Sequence, residues 1–415
     1  MVVLGHWRIT GTSWSPDGTL HATNLLEAWP RSQWATWVVQ PVPLFFVVGG
    51  WAGARSWRAA RGGAHAWRVA RLQRLLIPLR TFVVVGLIGG VVLGGLAGAG
   101  GAQAARLLGM PLWFLAVYLP VTLATPELVA AADRWGWRLP AGLLAAAALV
   151  DAVRFRGGVS AAGWVNFAFV WLALAALGSV AERRVLDRHA VRAVGAAASG
   201  ALVLVVALHW YPVSMVGVGE RSNNTPPTIA LCLLGVVHAC LAALAAPRLR
   251  AFLERRRKAR RGIATTGALG MHLYLWHLCA TVAIVGLQQI GFLNVTPLSG
   301  RWWLLRPVWV LCLAVVAVPL ATFTARADLR RLACLPRAAD RARASCIAAT
   351  PLATVGLVAL ALVGFRPGAA ATLAVAGIAL ATTLTTRTAA SAAATSRDEG
   401  NPPWLRGTAA EMVEP

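Results

Sequence analysis

The chain has 415 residues, 58% hydrophobic and 13% charged, with 39 Lys and Arg against 15 Asp and Glu and a formal net charge of +24. Soluble domains carry about 25% charged residues, so a soluble enzyme, a disordered chain and a secreted disulfide scaffold are excluded. The basic excess does not describe a nucleic-acid surface either: every basic residue but Lys258 is Arg, and they cluster between long apolar segments.

In chain order, apolar runs predict membrane spans near 33–52, 80–103, 109–131, 139–153, 160–181, 190–210, 226–246, 263–290, 303–324, 347–365 and 368–385. The opening Met-Val-Val-Leu-Gly-His6 reads as the end of one more helix. The expectation is an all-α polytopic transmembrane bundle of about eleven or twelve helices, the first truncated. Backbone groups in lipid must pair within their own segment, so no sheet is expected there. Nineteen Trp against three Tyr suit anchoring at two water–lipid interfaces.

Alternate loops carry 29 and eight basic residues. By the positive-inside rule the loops with Arg55–Arg74 and Arg248–Arg261, and the C-terminus, face the cytoplasm. The run Glu254–Arg261 is a topology determinant that also meets anionic lipid. Residues 1–325 form the main bundle, 326–385 add a basic loop and two further spans, and 386–415 form a polar, disordered tail. The six cysteines show no CxxC or zinc-like spacing and read as apolar fillers, with no metal expected.

Two groups of residues carry chemistry. Arg68, Arg71 and Arg74 recur every three residues at the mouth of a helix, where guanidinium groups suit bidentate phosphate contacts or serve as a basic flank. His6, in a hydrophobic run, is either a general base or a satisfied structural group. His272 and His277 lie five apart, on different helix faces, which argues against a shared metal. On the outer side, His209-Trp-Tyr211-Pro and Ser222-Asn223-Asn-Thr-Pro-Pro227 suit either sugar contacts or an interfacial belt with a proline-capped helix start. Asp17 or Glu27 is available to orient the His6 ring.

Taken together, Val-Val-Leu-Gly-His6, Pro43-Leu-Phe-Phe-Val-Val-Gly-Gly50, Arg71-Leu-Gln-Arg74-Leu-Leu-Ile-Pro78, Leu112-Trp113-Phe-Leu115 and Leu273-Tyr-Leu-Trp-His277 resemble the acyltransferase-3 family of integral membrane acyltransferases. The likeness covers roughly residues 1–325. It implies transfer of an acyl group, commonly acetyl from acetyl-CoA, onto a hydroxyl, often of a cell-surface carbohydrate. His6 looks like the family's first-helix histidine. Arg71 and Arg74, with Arg68 beside them, look like its CoA-phosphate pair. Trp113, Tyr211, Asn223 and His277 are candidate substrate contacts. Three departures stand out. The family's Arg eleven residues before the histidine is missing, because five residues precede His6; Pro43 replaces an acidic residue; Gly49-Gly50 replaces Ser-Gly. The short opening stretch leads to the expectation that the true first helix begins upstream. A transporter or flippase for a lipid-linked or polar molecule, and a non-catalytic relative, are the alternative readings.

Overall fold

The computed structural model describes residues 2–16, 20–219, 221–333 and 342–395. Asp17, Cys334 and residues 396–415 of the expected 386–415 tail lie outside them, whereas residues 386–395, expected to be disordered, are helical. The chain opens with α1 (Val2–Ile9), the strands β1 (Thr10–Trp14) and β2 (Leu20–Asn24), then α2 (Leu25–Ala28), α3 (Thr36–Val39) and α4 (Val42–Arg58). Next come α5 (Gly63–Gly109), α6 (Leu112–Leu123), α7 (Thr125–Trp135), α8 (Arg138–Phe155), α9 (Asn166–Ala181) and α10 (Arg188–Ala207). The bundle closes with α11 (Ile229–Arg255), α12 (Arg257–Gln288), α13 (Gly300–Ala333), α14 (Ala342–Val363) and α15 (Ala369–Thr395).

Among the described residues, nine helices are long and apolar enough to cross a membrane, or ten if the bent pair α7–α8 makes one span. The protein is thus an all-α, multi-pass helical bundle. Nine of the eleven expected spans reappear with shifted ends; the one expected at 347–365 falls in the shorter apolar helix Ala348–Val363. The stretch expected at 139–153 belongs to α8, which turns by 108° from α7. The stretch expected at 80–103 starts earlier, because α5 runs from Gly63 and places Arg68, Arg71 and Arg74 within a helix. Its glycine-rich end supplies the turn between two spans: a Cβ on Gly101 would lie 1.9 Å from the Leu93 oxygen, so the chain returns on itself there only without a side chain.

The bundle packs through small residues, since lipid offers no hydrophobic drive for helices to associate. A Cβ on Gly50 would sit 2.0 Å from the Ala175 oxygen, and one on Gly178 would sit 1.9 Å from the Val47 oxygen. These two glycines let α4 and α9 approach backbone to backbone, and Phe46 stacks on Trp171 beside them at 4.5 Å. The C-terminal pair α14–α15 shares this core. Phe365 meets Phe82 of α5 edge-on at 5.7 Å, and Gln73 donates to the Thr385 carbonyl at 2.9 Å.

Strands β1 and β2 pair antiparallel, Thr10 with Asn24 through Trp14 with Leu20. Hydropathy held no hint of this hairpin. Its anchor is the far end of α12: Thr12 Oγ1 donates to Gln288 Oε1 at 2.7 Å, and Trp14 Nε1 donates to the Val285 carbonyl at 2.8 Å.

Gly178→Ala is expected to destabilise the fold by about 1–3 kcal/mol, because the new methyl meets backbone that cannot yield. Gly89→Ala, where a Cβ meets nothing within 4 Å, serves as the matched control. Thermal unfolding in detergent compares them, and equal melting temperatures would refute the close-packing argument.

Candidate active site

His6 lies in α1, a helix of eight residues, about 12 Å long at 1.5 Å per residue. Side-chain contacts hold α1 in place. Its indole Trp7 is buried and donates to the His277 carbonyl at 3.2 Å. The last carbonyls of the helix, left open by the helical pattern, meet donors from α13. Trp309 Nε1 reaches the Trp7 carbonyl at 3.1 Å. The Arg306 guanidinium donates to the carbonyls of Trp7, Arg8 and Thr10. That guanidinium lies 4.0 Å from the Trp302 ring centre and 5.3 Å from that of Trp309, a cation–π setting strengthened by desolvation.

These contacts bring the two sequence-flagged histidines together. His6 Nδ1 lies 2.8 Å from His277 Nε2, the ring centres are 5.1 Å apart, and His277 is fully buried. His277 Nδ1 in turn lies 2.6 Å from the Tyr274 carbonyl. The other histidine of the motif has a separate partner: His272 Nε2 donates to buried Asp328 at 3.1 Å, tying α12 to α13. Exposed Glu27 makes no hydrogen bond to His6.

A chain of aromatic rings leads away from the pair. Tyr274 lies 5.9 Å from His277, Phe114 5.4 Å from Tyr274, and Tyr118 stacks on Phe114 at 5.5 Å. Tyr118 is within electrostatic range of Arg71. Trp113 flanks this row, edge-on to Phe114 at 6.2 Å and 6.3 Å from Trp171.

The arginines at this end divide into two kinds. Arg58 forms a bidentate pair with Asp133 and reaches Glu182 at 3.0 Å, joining α4, α7 and α9. Charge-assisted hydrogen bonds of this kind orient helix ends. Arg68 donates to the Leu123 carbonyl at 2.9 Å and pairs with Glu127. Arg71, half-buried over the Trp67 ring, and Arg74, one turn on, have no carboxylate partner among the described residues. Arg68 is therefore already neutralised, whereas Arg71 and Arg74 are open to an anion.

At the opposite end, Tyr211 and Asn223 are committed elsewhere. Tyr211 donates to Asp151 at 3.0 Å; burial, reinforced by that carboxylate, raises its phenol above the usual range. Buried Asn223 donates to the carbonyls of Pro212 and Ser214 and accepts from Thr228. Asp151 also accepts from the Ile229 amide, capping α11. Neither Tyr211 nor Asn223 makes a hydrogen bond or ring contact with the histidine pair.

Gln288, Arg306 and Trp309 went unflagged by sequence reasoning. The tryptophan neighbours of Arg306 in Arg301-Trp-Trp-Leu-Leu-Arg306-Pro-Val-Trp309 are the signal in the sequence that could have found it. Among the described residues no group of three or more His, Cys, Asp or Glu is placed to hold a metal.

The multi-pass bundle thus holds a histidine pair within its helices and, at one end, an arginine pair without carboxylate partners among the described residues. The family described as "Acyltransferase domain", the acyltransferase-3 family, matches residues 1–326, and the chain belongs to it. No curated protein and no solved structure matches the chain.

Arg306→Ala is expected to release α1 and the hairpin, since it removes charge-assisted bonds each contributing about 1.5–3 kcal/mol. Hydrogen exchange over residues 2–24 reads this directly. Protection as in the parent protein would show that Trp309 and the hairpin suffice.

Proposed function

We propose that this membrane acyltransferase moves an acyl group, acetyl by preference, from cytoplasmic acyl-CoA to a hydroxyl of a cell-surface carbohydrate or similar acceptor. The observation that carries the reading is Arg71, half-buried over Trp67 with no carboxylate partner among the described residues and with Arg74 one turn on, while Arg58 and Arg68 are paired. In this reading the Arg-rich end faces the cytoplasm of the bacterial membrane, the side that the positive-inside rule favours for basic loops. Arg71 and Arg74 hold the CoA phosphates, and Arg68 stays with Glu127.

The pantetheine arm then follows the row Tyr118, Phe114 and Tyr274 towards the histidines. His6 accepts the proton of the acceptor hydroxyl as its oxygen attacks the thioester carbonyl. A C–O bond forms, the tetrahedral intermediate collapses with cleavage of the C–S bond, and the proton passes to the departing thiolate. Trp113, beside the ring row, lines the path. Tyr211 and Asn223 serve the acceptor side by shaping the outer loop. No metal enters this scheme.

Arg71→Ala and Arg74→Ala are each expected to weaken CoA binding by about tenfold or more, the loss of one charged hydrogen-bonding contact. Arg71→Lys is expected to be impaired too, since an ammonium lacks the planar fork. Calorimetric titration of CoA into nanodisc-embedded protein measures both. Unchanged affinity in the double variant would remove the phosphate clamp.

His6→Gln is expected to abolish acetyl transfer from labelled acetyl-CoA to cell-envelope carbohydrate while CoA affinity persists. Glutamine can hydrogen-bond but cannot take the proton. Near-normal transfer by a correctly inserted His6→Gln protein would make the imidazole structural.

A further inference from the structure

We propose that His277 is a positioning residue: it sets the tautomer of His6, so that His6 Nε2 is the ring nitrogen with a free lone pair. This inference rests on the reading of His6 as the base, and it follows from two hydrogen bonds.

The first bond is between His277 Nδ1 and the Tyr274 carbonyl, at 2.6 Å. A carbonyl oxygen only accepts, so His277 carries its proton on Nδ1. A neutral imidazole has a single N–H, which leaves His277 Nε2 as an acceptor. The second bond joins that Nε2 to His6 Nδ1, at 2.8 Å. His6 must therefore donate from Nδ1, and its Nε2 is left unprotonated. The carbonyl thus dictates one ring, and that ring dictates the next.

The opposite polarity would require a cationic His277, protonated on both nitrogens. No carboxylate hydrogen-bonds to either ring among the described residues, and His277 is fully buried. A bare imidazolium in that setting is costly, so the neutral arrangement prevails. The position of His277 is itself fixed. Its ring stands between Tyr274 and His6, and its own carbonyl accepts from Trp7 Nε1. The same residue that orients the His6 ring also anchors the helix that carries it.

The geometry explains why this role needs histidine. One ring must donate at Nδ1 and accept at Nε2 together, across the gap between α12 and α1. Asparagine mimics only the Nδ1 donor. Glutamine reaches the Nε2 position with a carbonyl oxygen that accepts from His6.

Two measurements test this. The first is nitrogen spectroscopy of the wild-type protein with 15N-labelled imidazoles, assigned with His6→Gln and His277→Gln. It is expected to show both rings protonated at Nδ1, with His6 Nε2 bare. His6 protonated at Nε2 would overturn the proposal, whatever the activity of any variant. The second is acetyl transfer from acetyl-CoA to cell-envelope carbohydrate by three variants of verified membrane insertion. His277→Leu and His277→Asn are expected to lose kcat on the order of 10²-fold, with the KM for acetyl-CoA unchanged. His277→Gln is expected to recover most of that loss. A merely structural His277 would give Asn and Gln the same kcat, and full kcat in the Leu variant would equally overturn the proposal. Failure of the base reading is seen separately: His6→Gln would still transfer acetyl groups while the wild-type spectrum kept its expected tautomers.

Discussion

The guanidinium of Arg306, gathered under the carbonyls of Trp7, Arg8 and Thr10 between two indole rings, is the contact on which the position of His6 depends. α1 ends at Ile9 with carbonyls that the helix cannot satisfy. A cation at that end meets both the open oxygens and the negative pole of the helix dipole. The hairpin extends the same anchoring, because Thr12 and Trp14 bind the last turns of α12. Helix, hairpin and the α12–α13 pair therefore form one unit around the histidines.

The second organising effect is the sorting of like residues by their partners. With 39 basic residues against 15 acidic ones, most arginines here have no carboxylate, so being unpaired is by itself ordinary. What separates Arg71 is being unpaired while half-buried, over Trp67 and in range of Tyr118. Exposed guanidiniums are solvated and need nothing further. A partly desolvated one gains most from an anion that arrives already carrying several charged oxygens. Arg58 shows the other use: its bidentate grip on Asp133 and its bond to Glu182 draw three helix ends together.

Polar residues at the opposite end teach the same lesson. Asp151 accepts from Tyr211, Asn166 and the Ile229 amide, and Asn223 holds the loop over Pro212 and Ser214. These side chains stabilise a long connection that would otherwise leave buried backbone groups unmet. They hold the shape of the connection between α10 and α11.

What the sequence determined by itself is everything set by local pattern. Hydropathy and the alternation of arginine between loops mark the spans, because the cost of placing charge or unpaired backbone in hydrocarbon acts on each segment alone. His6, Arg71 and Arg74 were legible as candidates for the same reason: titratable and guanidinium groups at such depths are conspicuous. The domain match over residues 1–326 agrees with the motifs that singled them out. The tertiary structure alone decided the partners. His6 and His277 are 271 residues apart, Arg306 and Trp7 are 299 apart, and no periodicity encodes a hydrogen bond across such a gap. Arg68 and Arg71 look alike in sequence, yet one faces Glu127 and the other faces none. That difference arises where α5 and α7 pack, and burial and pairing are properties of the packed bundle.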